Sequence, residues 1–327
     1  MADTMWAIHH DGDAPLTTIE APKPSCGAEE VLVRVYAAGL NRADLVQRAG
    51  FYPAPPGASK ILGLECAGEV VACGDAVSEW AVGDRVCGLM AGGGYAEYAL
   101  VHQGSMFALP SSMSFNEGAA LPEVMMTVWA NIFDRCGIQP GETLLIHGGT
   151  SGIGTMAIQM ARYAGVGPVI ITAGTDEKCR AAQAMGADIT INYRSENFET
   201  VLADHGGADV ILDMVGGDYV QKNISAAKIN GRICNIAYMQ GAKVELNLLP
   251  IMLKRLILTG TTLRARPDNE KQRIRDAILK GFWPGVLAGD IRPVIDSVYA
   301  FDDAETAHAK FSAGGHIGKI LLSLTTS

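Results

Sequence analysis

The residues with the clearest potential for chemistry form a glycine-rich turn in the stretch LLIHGGTSGIGTMAIQMAR. Gly149, Ser151 and Gly154 occupy the three marked positions of a G-x-G-x-x-G fingerprint, with serine in place of the middle glycine. Such turns also occur for packing reasons, but here an apolar strand precedes the turn, a helical pattern follows it, and a second strand, VIITAG, comes at the expected distance. Backbone N–H groups that open a helix in this context bind a pyrophosphate. The turn, including Gly152 and Ile153, therefore predicts a dinucleotide site.

The choice of dinucleotide depends on the residues that follow the second predicted strand, TAGTDEK. Gly174 stands where an NAD site usually places an acidic residue. A small residue leaves room for the 2′-phosphate of NADPH, and Lys178, one helical turn later, offers a positive charge. Tyr193, after the third strand, is expected near the same adenosine end. The alternative for Lys178 is a solvated surface residue, whose positive field Asp176 and Glu177 weaken. The alternative for Tyr193 is a residue that only packs. The pattern favours NADPH.

The elements that must position these residues alternate from residue 143 onwards. Strands are predicted at 143–147, 168–172, 188–191, 208–212 and 231–236, and helices at 152–164, 176–185 and about 218–228. Strands and helices that alternate in this way form βαβ units and a parallel sheet. Short, glycine-punctuated β-rich runs between Val31 and about Val101 predict a compact, mostly antiparallel domain. The chain after about residue 265 is expected to fold back onto that domain.

Composition narrows the classes of function. The chain has 327 residues, 48% of them hydrophobic and 19% charged, which fits a globular two-domain protein without a membrane-spanning run. A net charge of -9 argues against sequence-independent binding to nucleic acid. The seven cysteines are dispersed and predict neither a disulfide framework nor a structural zinc site. The start, MADTMWAIHHDGDAP, is unlike a signal peptide, so a cytoplasmic protein is expected.

The chain resembles the medium-chain dehydrogenase/reductase superfamily, in its quinone oxidoreductase branch. The resemblance is carried by AAGLNRADLVQRAGFYPAPPGASKILGLECAGEV, GDRV, GGGYAEY, LIHGGTSGIGTMAIQMAR, MGADITINYR, ILDMVGG and IGKILL. It implies an α/β protein in which a GroES-like, β-rich catalytic domain accompanies a Rossmann domain with a doubly wound parallel sheet. The implied boundaries are 1–123 and 265–327 for the catalytic domain and 124–264 for the NADPH-binding Rossmann domain. It also implies a homodimer joined through the edges of the Rossmann sheets.

Two positions argue against a catalytic metal. Zinc-dependent members of the superfamily carry a cysteine where this chain has Asn41 and a histidine where it has Leu64. An amide is a poor zinc ligand and leucine is none, and the block of four clustered cysteines that binds structural zinc is missing. We therefore predict no metal site.

The lack of a metal favours quinone reduction over alcohol oxidation. Alcohol oxidation needs a group that takes the hydroxyl proton, and the sequence shows no evident substitute for a metal in this role. Quinone reduction needs no such group, because a quinone is a strong electrophile whose reduced form is a stabilised anion.

The resemblance implies that the nicotinamide lies between the two domains, near Asn41 and Thr127. Asn41 is expected to donate a hydrogen bond towards the ring or the substrate oxygen; the alternative is that it only forms a turn. Tyr52 is expected to cover the substrate or donate a hydrogen bond to the quinol oxygen; the alternative is that it only packs beside prolines. The Thr127 hydroxyl is expected to form a hydrogen bond with the cofactor or, alternatively, with its own backbone. Arg264 is expected to contact a phosphate or, alternatively, to lie on the surface.

The function predicted from these features is NADPH-dependent reduction of a quinone or related small electrophile, without a metal. An enoyl-thioester or enone reductase is the first alternative, because it uses the same hydride. A non-catalytic NADPH-binding protein with a structural or regulatory role is the second. Oxidation of NADPH that requires added quinone separates an enzyme from a mere binder. His147, at the end of the first Rossmann strand, is expected to be a wall of the cofactor cleft and not an acid or base.

Overall fold

The computed structural model describes residues 3–12 and 14–324. The chain divides into two compact units. The first contains the chain up to Met126, Leu263–Gly281 and the chain from Pro293, and the second contains Thr127–Thr262 and Phe282–Arg292. The last of these segments corrects the predicted boundary, which assigned all of 265–327 to the catalytic domain. It belongs to the second unit because the Phe282 ring packs against Phe133 and Tyr163, with centroids 4.8 and 6.1 Å away.

The strands of the first unit's N-terminal part are β1 (Thr4–His9), β2 (Thr17–Pro22), β3 (Glu30–Gly39), β4 (Glu65–Cys73), β5 (Arg85–Leu89), β6 (Tyr98–His102) and β7 (Met106–Ala108). Those of the second unit are β8 (Leu144–His147), β9 (Val169–Ala173), β10 (Ile189–Asn192), β11 (Ala208–Asp213), β12 (Ala227–Asn235) and β13 (Ile257–Gly260). The tail supplies β14 (Ile295–Ala300) and β15 (Lys319–Ser323).

The helices in chain order are α1 (Arg42–Arg48), α2 (Phe115–Ala119), α3 (Pro122–Val128), α4 (Gly152–Tyr163), α5 (Asp176–Ala184), α6 (Phe198–Asp204), α7 (Tyr219–Ala226), α8 (Leu249–Lys254), α9 (Asp268–Gly281), α10 (Trp283–Ala288) and α11 (Ala304–Ala313). The helix type changes within the apolar stretch EVMMTVWANIFDRC: α3 is followed directly by a π-helix, Trp129–Arg135. No described helix is long and apolar enough to cross a membrane.

The main sheet of the first unit joins both ends of the chain. Its strand order is β14-β15-β3-β4-β5-β7, and β6 also pairs with β3. The C-terminal strand β15 runs antiparallel to β3, so that Leu322 pairs with Ala38. The apolar residues of these strands face a buried core that includes Leu40 and Ile320. This pairing brings Lys319, the first residue of β15, to the chain segment that follows β3.

The second unit is built on a six-stranded sheet with the order β10-β9-β8-β11-β12-β13. All its strand pairs are parallel. The order reverses between β8 and β11, as in a doubly wound Rossmann sheet, where ligands bind beyond the carboxyl ends of the strands. The predicted fold class is confirmed. The glycine-rich turn, Gly174 and Tyr193 directly follow β8, β9 and β10, so they share that edge.

Candidate cofactor and substrate site

The glycine-rich turn forms a compact connection from β8 into α4. Ser151 is the N-cap of α4: its hydroxyl accepts from the Gly154 N–H at 3.0 Å and donates to the Gly148 carbonyl at 2.8 Å. Serine at the fingerprint's middle position therefore closes the turn. A Cβ on Gly154 would meet the Gly148 carbonyl oxygen and lie 2.6 Å from the Gly149 carbonyl carbon. Only glycine lets the helix start so close to the strand, with Gly152 and Ile153 in the first turn, whose N–H groups have no partners within the helix.

The end of β9 and the end of β10 meet at Gly174. A Cβ on Gly174 would lie 2.6 Å from the Tyr193 hydroxyl oxygen, so the tyrosine occupies the space that an acidic side chain would need. The sequence did not reveal this contact. Tyr193 is 46% exposed, which leaves its ring available to a ligand beside Gly174.

Two residues that follow Gly174 form hydrogen bonds within the unit. Thr175 caps α5, and its hydroxyl accepts from the Lys178 backbone N–H at 3.2 Å. The Asp176 carboxylate accepts from the Asn192 amide at 2.6 Å, which turns it towards the end of β10. Lys178 is half-buried on the first turn of α5. Of the two acids that weaken the field around Lys178, Asp176 is therefore held by Asn192.

His147 does not line an open surface, because its ring is fully buried. Its Nε2 lies 2.7 Å from the Asn223 amide oxygen and its Nδ1 lies 3.0 Å from the Thr172 hydroxyl. The Asn223 amide nitrogen donates to Asp213 at 3.0 Å, so the Asn223 oxygen accepts and Nε2 carries the proton. Burial lowers the pKa of His147, against the opposing charge of Asp213. The ring is a neutral structural link among β8, β9 and α7, and the expected cleft wall is wrong.

In the first unit, Asn41 lies 7% exposed at the start of α1. Its side-chain oxygen accepts from the Lys319 ammonium at 2.7 Å, and its Nδ2 donates to Glu65 at 2.9 Å. Its backbone N–H donates to Asp44 at 2.7 Å. Burial raises the pKa of the Asp44 carboxyl to about 6, against the N–H groups and the Lys319 charge. Asn41 is thus held by ionic partners on each side, which a turn-forming asparagine does not require.

Tyr52 and Arg264 lie together in the first unit. The Arg264 guanidinium donates to the Tyr52 carbonyl at 3.1 Å, to Ala91 O at 2.7 Å and to Gln47 Oε1 at 2.6 Å, and it lies 5.3 Å from the Tyr52 ring centroid. Arg264 is 5% exposed, so it is not a surface residue. These contacts make it a support for the Tyr52 loop, and its contact with a phosphate stays a prediction. Burial raises the pKa of Tyr52, against the nearby guanidinium, so the phenol is protonated at neutral pH.

Thr127 begins the second unit and is 7% exposed. Its carbonyl accepts from the Asn131 amide at 2.8 Å, and the Asn131 oxygen accepts from the Thr261 hydroxyl at 2.6 Å. Asn131 lies in the π-helix, a form of helix that is often found at functional sites. The role of the Thr127 hydroxyl towards a cofactor stays a prediction.

Known proteins resemble the chain over most of its length. Family models match for the alcohol dehydrogenase GroES-like domain at residues 27–111 and for the zinc-binding dehydrogenase at residues 152–278. The quinone oxidoreductase of Rattus norvegicus is 30% identical over 306 residues, which cover 92% of this chain and 91% of the relative. The quinone oxidoreductase of Lama guanicoe is 33% identical over 302 residues, which cover 90% of this chain and 89% of the relative. The chain belongs to the medium-chain dehydrogenase/reductase superfamily.

A solved structure supports this membership of the medium-chain dehydrogenase/reductase superfamily. The Escherichia coli quinone oxidoreductase complexed with NADPH matches with a TM-score of 0.84 and 27% sequence identity, and the match covers 98% of this chain and 100% of that one. The resemblance that the sequence motifs indicate is thereby confirmed.

Catalytic zinc, which some members of this superfamily hold, does not fit the side chains present here. Leu64 offers no ligand atom, and the Asn41 oxygen already accepts from the Lys319 ammonium. That ammonium also lies 2.6 Å from Glu65, so a second cation beside these oxygens would face a fixed positive charge. Within 3–12 and 14–324 no group of three or more His, Cys, Asp or Glu side chains could hold a metal ion.

Proposed function

We propose that this protein is a zinc-independent, NADPH-dependent quinone oxidoreductase. The observation that carries the proposal is the cofactor edge of the second unit, where the capped turn, Gly174 and Tyr193 follow three adjacent parallel strands. Relatives named quinone oxidoreductase match about nine-tenths of the chain, and one solved relative is complexed with NADPH. Oxidation of NADPH by quinones, compared with its oxidation by saturated aldehydes and ketones, tests this activity.

The proposed mechanism requires binding and positioning and no tuned acid. When bound, NADPH supplies the hydride. The N–H groups of Gly152 and Ile153 would bind the pyrophosphate at the positive end of α4. Asn41 would orient the nicotinamide or the quinone oxygen with its amide. Tyr52 would donate a hydrogen bond to the developing quinol oxygen. The hydride and one proton together give the quinol, and water would deliver that proton because the reduced quinone is a stabilised anion.

Lys178 carries the proposed preference for NADPH over NADH, and Lys178→Ala tests it. A partly exposed, charge-assisted hydrogen bond to the 2′-phosphate contributes about 1.5–3 kcal/mol. We expect KM for NADPH to rise about 10- to 100-fold, while KM for NADH is nearly unchanged because NADH lacks the phosphate. Steady-state kinetics with both cofactors measure this difference.

Arg180→Ala is the matched control for Lys178→Ala, because Arg180 is an exposed cation on the same helix. It should leave both KM values within about twofold, since screening weakens distant surface charges. Equal effects of Lys178→Ala on both cofactors, or a wild type that prefers NADH, would show that Lys178 does not recognise the phosphate.

We also propose that the protein forms a homodimer through β13, the end strand of the Rossmann sheet. Edge strands expose backbone groups that pair with another chain. Here the strand and the adjoining α8 also carry exposed apolar side chains, namely Leu249, Met252, Leu253, Ile257 and Leu258. A second copy that pairs along β13 would cover this apolar surface.

The double substitution Met252→Lys and Leu253→Lys is expected to convert the dimer to a monomer at micromolar concentration, as measured by sedimentation velocity. Two ammonium groups from each protomer would have to lose their water at the interface. Leu287→Lys is the control, because Leu287 is 59% exposed on α10, away from β13 and α8 in the sequence. A wild type that sediments as a monomer would refute the proposed dimer.

A further inference from the structure

A buried ion pair stands next to Asn41 and takes no part in the proposed chemistry. Lys319 is 4% exposed and Glu65 is 0% exposed. The Lys319 ammonium donates to Leu40 O at 2.8 Å, to Asn41 Oδ1 at 2.7 Å and to Glu65 Oε1 at 2.6 Å. These acceptors use all three N–H groups of the ammonium. The charge is therefore fully satisfied inside the first unit.

Glu65 is held as firmly as the lysine. Its Oε1 also accepts from Asn41 Nδ2 at 2.9 Å, and its Oε2 accepts from the Glu123 backbone N–H at 2.9 Å, in the first turn of α3. Gly39 permits this placement, because a Cβ there would meet the Glu65 carboxylate and lie 2.7 Å from the Ala119 carbonyl. The carboxylate therefore lies directly against the end of β3, where only glycine leaves room for it.

These partners decide which way the Asn41 amide points. An ammonium can only donate and a carboxylate can only accept, so the amide oxygen must face Lys319 and Nδ2 must face Glu65. Rotation of the amide by half a turn would set a donor against Lys319 and an acceptor against Glu65. One Nδ2 hydrogen serves Glu65, and the other is only weakly engaged, with Gly39 O at 3.4 Å. That second hydrogen is the donor that Asn41 can offer to a ligand.

We propose that Lys319 is a positioning residue, which together with Glu65 locks the Asn41 carboxamide so that Nδ2 is presented to the nicotinamide or the quinone oxygen. This inference rests on the proposed function. A buried ion pair contributes little net stability, since the cost of desolvation offsets the attraction, so the pair's value lies in orientation. Misplacing a group by about 1 Å can reduce a rate by about 100-fold.

Lys319→Met tests the inference, because methionine fills similar space without donating. We expect kcat with a quinone to fall about 10- to 100-fold, while KM for NADPH stays within about twofold. The double variant Lys319→Met/Glu65→Gln removes the unpaired carboxylate and should recover most of the lost thermal stability, but not kcat. It carries the test if Lys319→Met alone does not fold.

Lys228→Met is the matched control. Lys228 donates to the Thr143 hydroxyl at 3.0 Å and to the Asp209 carboxylate at 2.8 Å, so it too pairs with a carboxylate and with a neutral oxygen, although with one neutral acceptor where Lys319 has two. These partners lie at the amino ends of β8 and β11, opposite the cofactor edge. Its substitution should lower Tm without lowering kcat. A similar fall in kcat for both lysine variants would reduce the role of Lys319 to general stability and overturn the inference.

A readout independent of turnover is the side-chain amide NMR signal of Asn41, in protein labelled with ¹⁵N-asparagine and assigned by its loss in Asn41→Asp. In the wild type we expect two well-separated proton signals, one of them shifted by the Glu65 carboxylate; in Lys319→Met they should move together. Unchanged signals in Lys319→Met would overturn the inference. An unchanged kcat in Lys319→Met would also overturn it, provided that the wild type reduces quinones. If the wild type reduces no quinone but the signals collapse, the proposed function fails and the positioning role stands.

Discussion

Ortho- and para-quinones are expected to be reduced with a kcat/KM about 10² to 10⁴ times that for a saturated aldehyde or ketone. General acid catalysis contributes about this factor, and a ketone needs it because its reduction product is a basic alkoxide. The phenol of Tyr52 has a raised pKa and is a weak acid at neutral pH. The Lys319 ammonium is committed to three acceptors. A quinone avoids the requirement, since its reduced form is a stabilised anion.

The measurement is the rate of NADPH oxidation over a range of concentrations of each acceptor in a matched set, which gives kcat/KM for each. Exhaustive chelation is the control, and it should leave the rate unchanged; a loss of rate that zinc restores would contradict the metal-free mechanism. Equal constants for a simple ketone and a quinone would contradict the proposed acceptor class. A 2-enoyl thioester that reacts faster than every quinone would favour the enoyl reductase. No turnover with any acceptor, combined with tight NADPH binding, would favour a structural or regulatory protein.

Gly154→Ala is expected to weaken NADPH binding by about 100-fold or more. The added Cβ would meet the backbone of Gly148 and Gly149, which cannot rotate away as a side chain could. The start of α4 must therefore move, and the N–H groups of its first turn lose their alignment with the pyrophosphate. Each hydrogen bond to a charged group contributes about 1.5–3 kcal/mol, so the loss of two such bonds corresponds to about 10²-fold or more in affinity.

Gly281→Ala is the control for this substitution, because Gly281 is also helical and a Cβ there would meet no atom within 4 Å. It should leave NADPH affinity unchanged and, if anything, raise Tm, since alanine favours a helix over glycine. Fluorescence titration of NADPH and thermal unfolding, measured on both variants, separate lost binding from lost folding. NADPH affinity in Gly154→Ala within about threefold of the wild type would refute the assignment of the turn to the pyrophosphate.

The alternation of strands and helices in the second unit is predictable because it depends on local sequence patterns. Apolar runs between glycines predict the bounds of β8, β9 and β10 to within one residue at each end. The strand predicted at 231–236 instead begins at Ala227, and β13 was not predicted. Both errors lie where pairing with β11 and β12, more than local pattern, decides where a strand runs.

The parallel sheet, the glycine-rich turn and the absence of an acid at Gly174 are predictable from the sequence, since each depends on residues close together in the chain. The surroundings of Asn41 and Tyr52 are not predictable in this way, because they depend on contacts between distant parts of the chain. Lys319 reaches Asn41 across 278 positions, and Arg264 reaches Tyr52 across 212. The lysine lay within the matching stretch IGKILL, but nothing local shows which carboxylate or amide it meets. Those partners follow from the antiparallel pairing of β15 with β3, and a side chain's hydrogen bonds depend on the register of strands that the chain brings together only on folding.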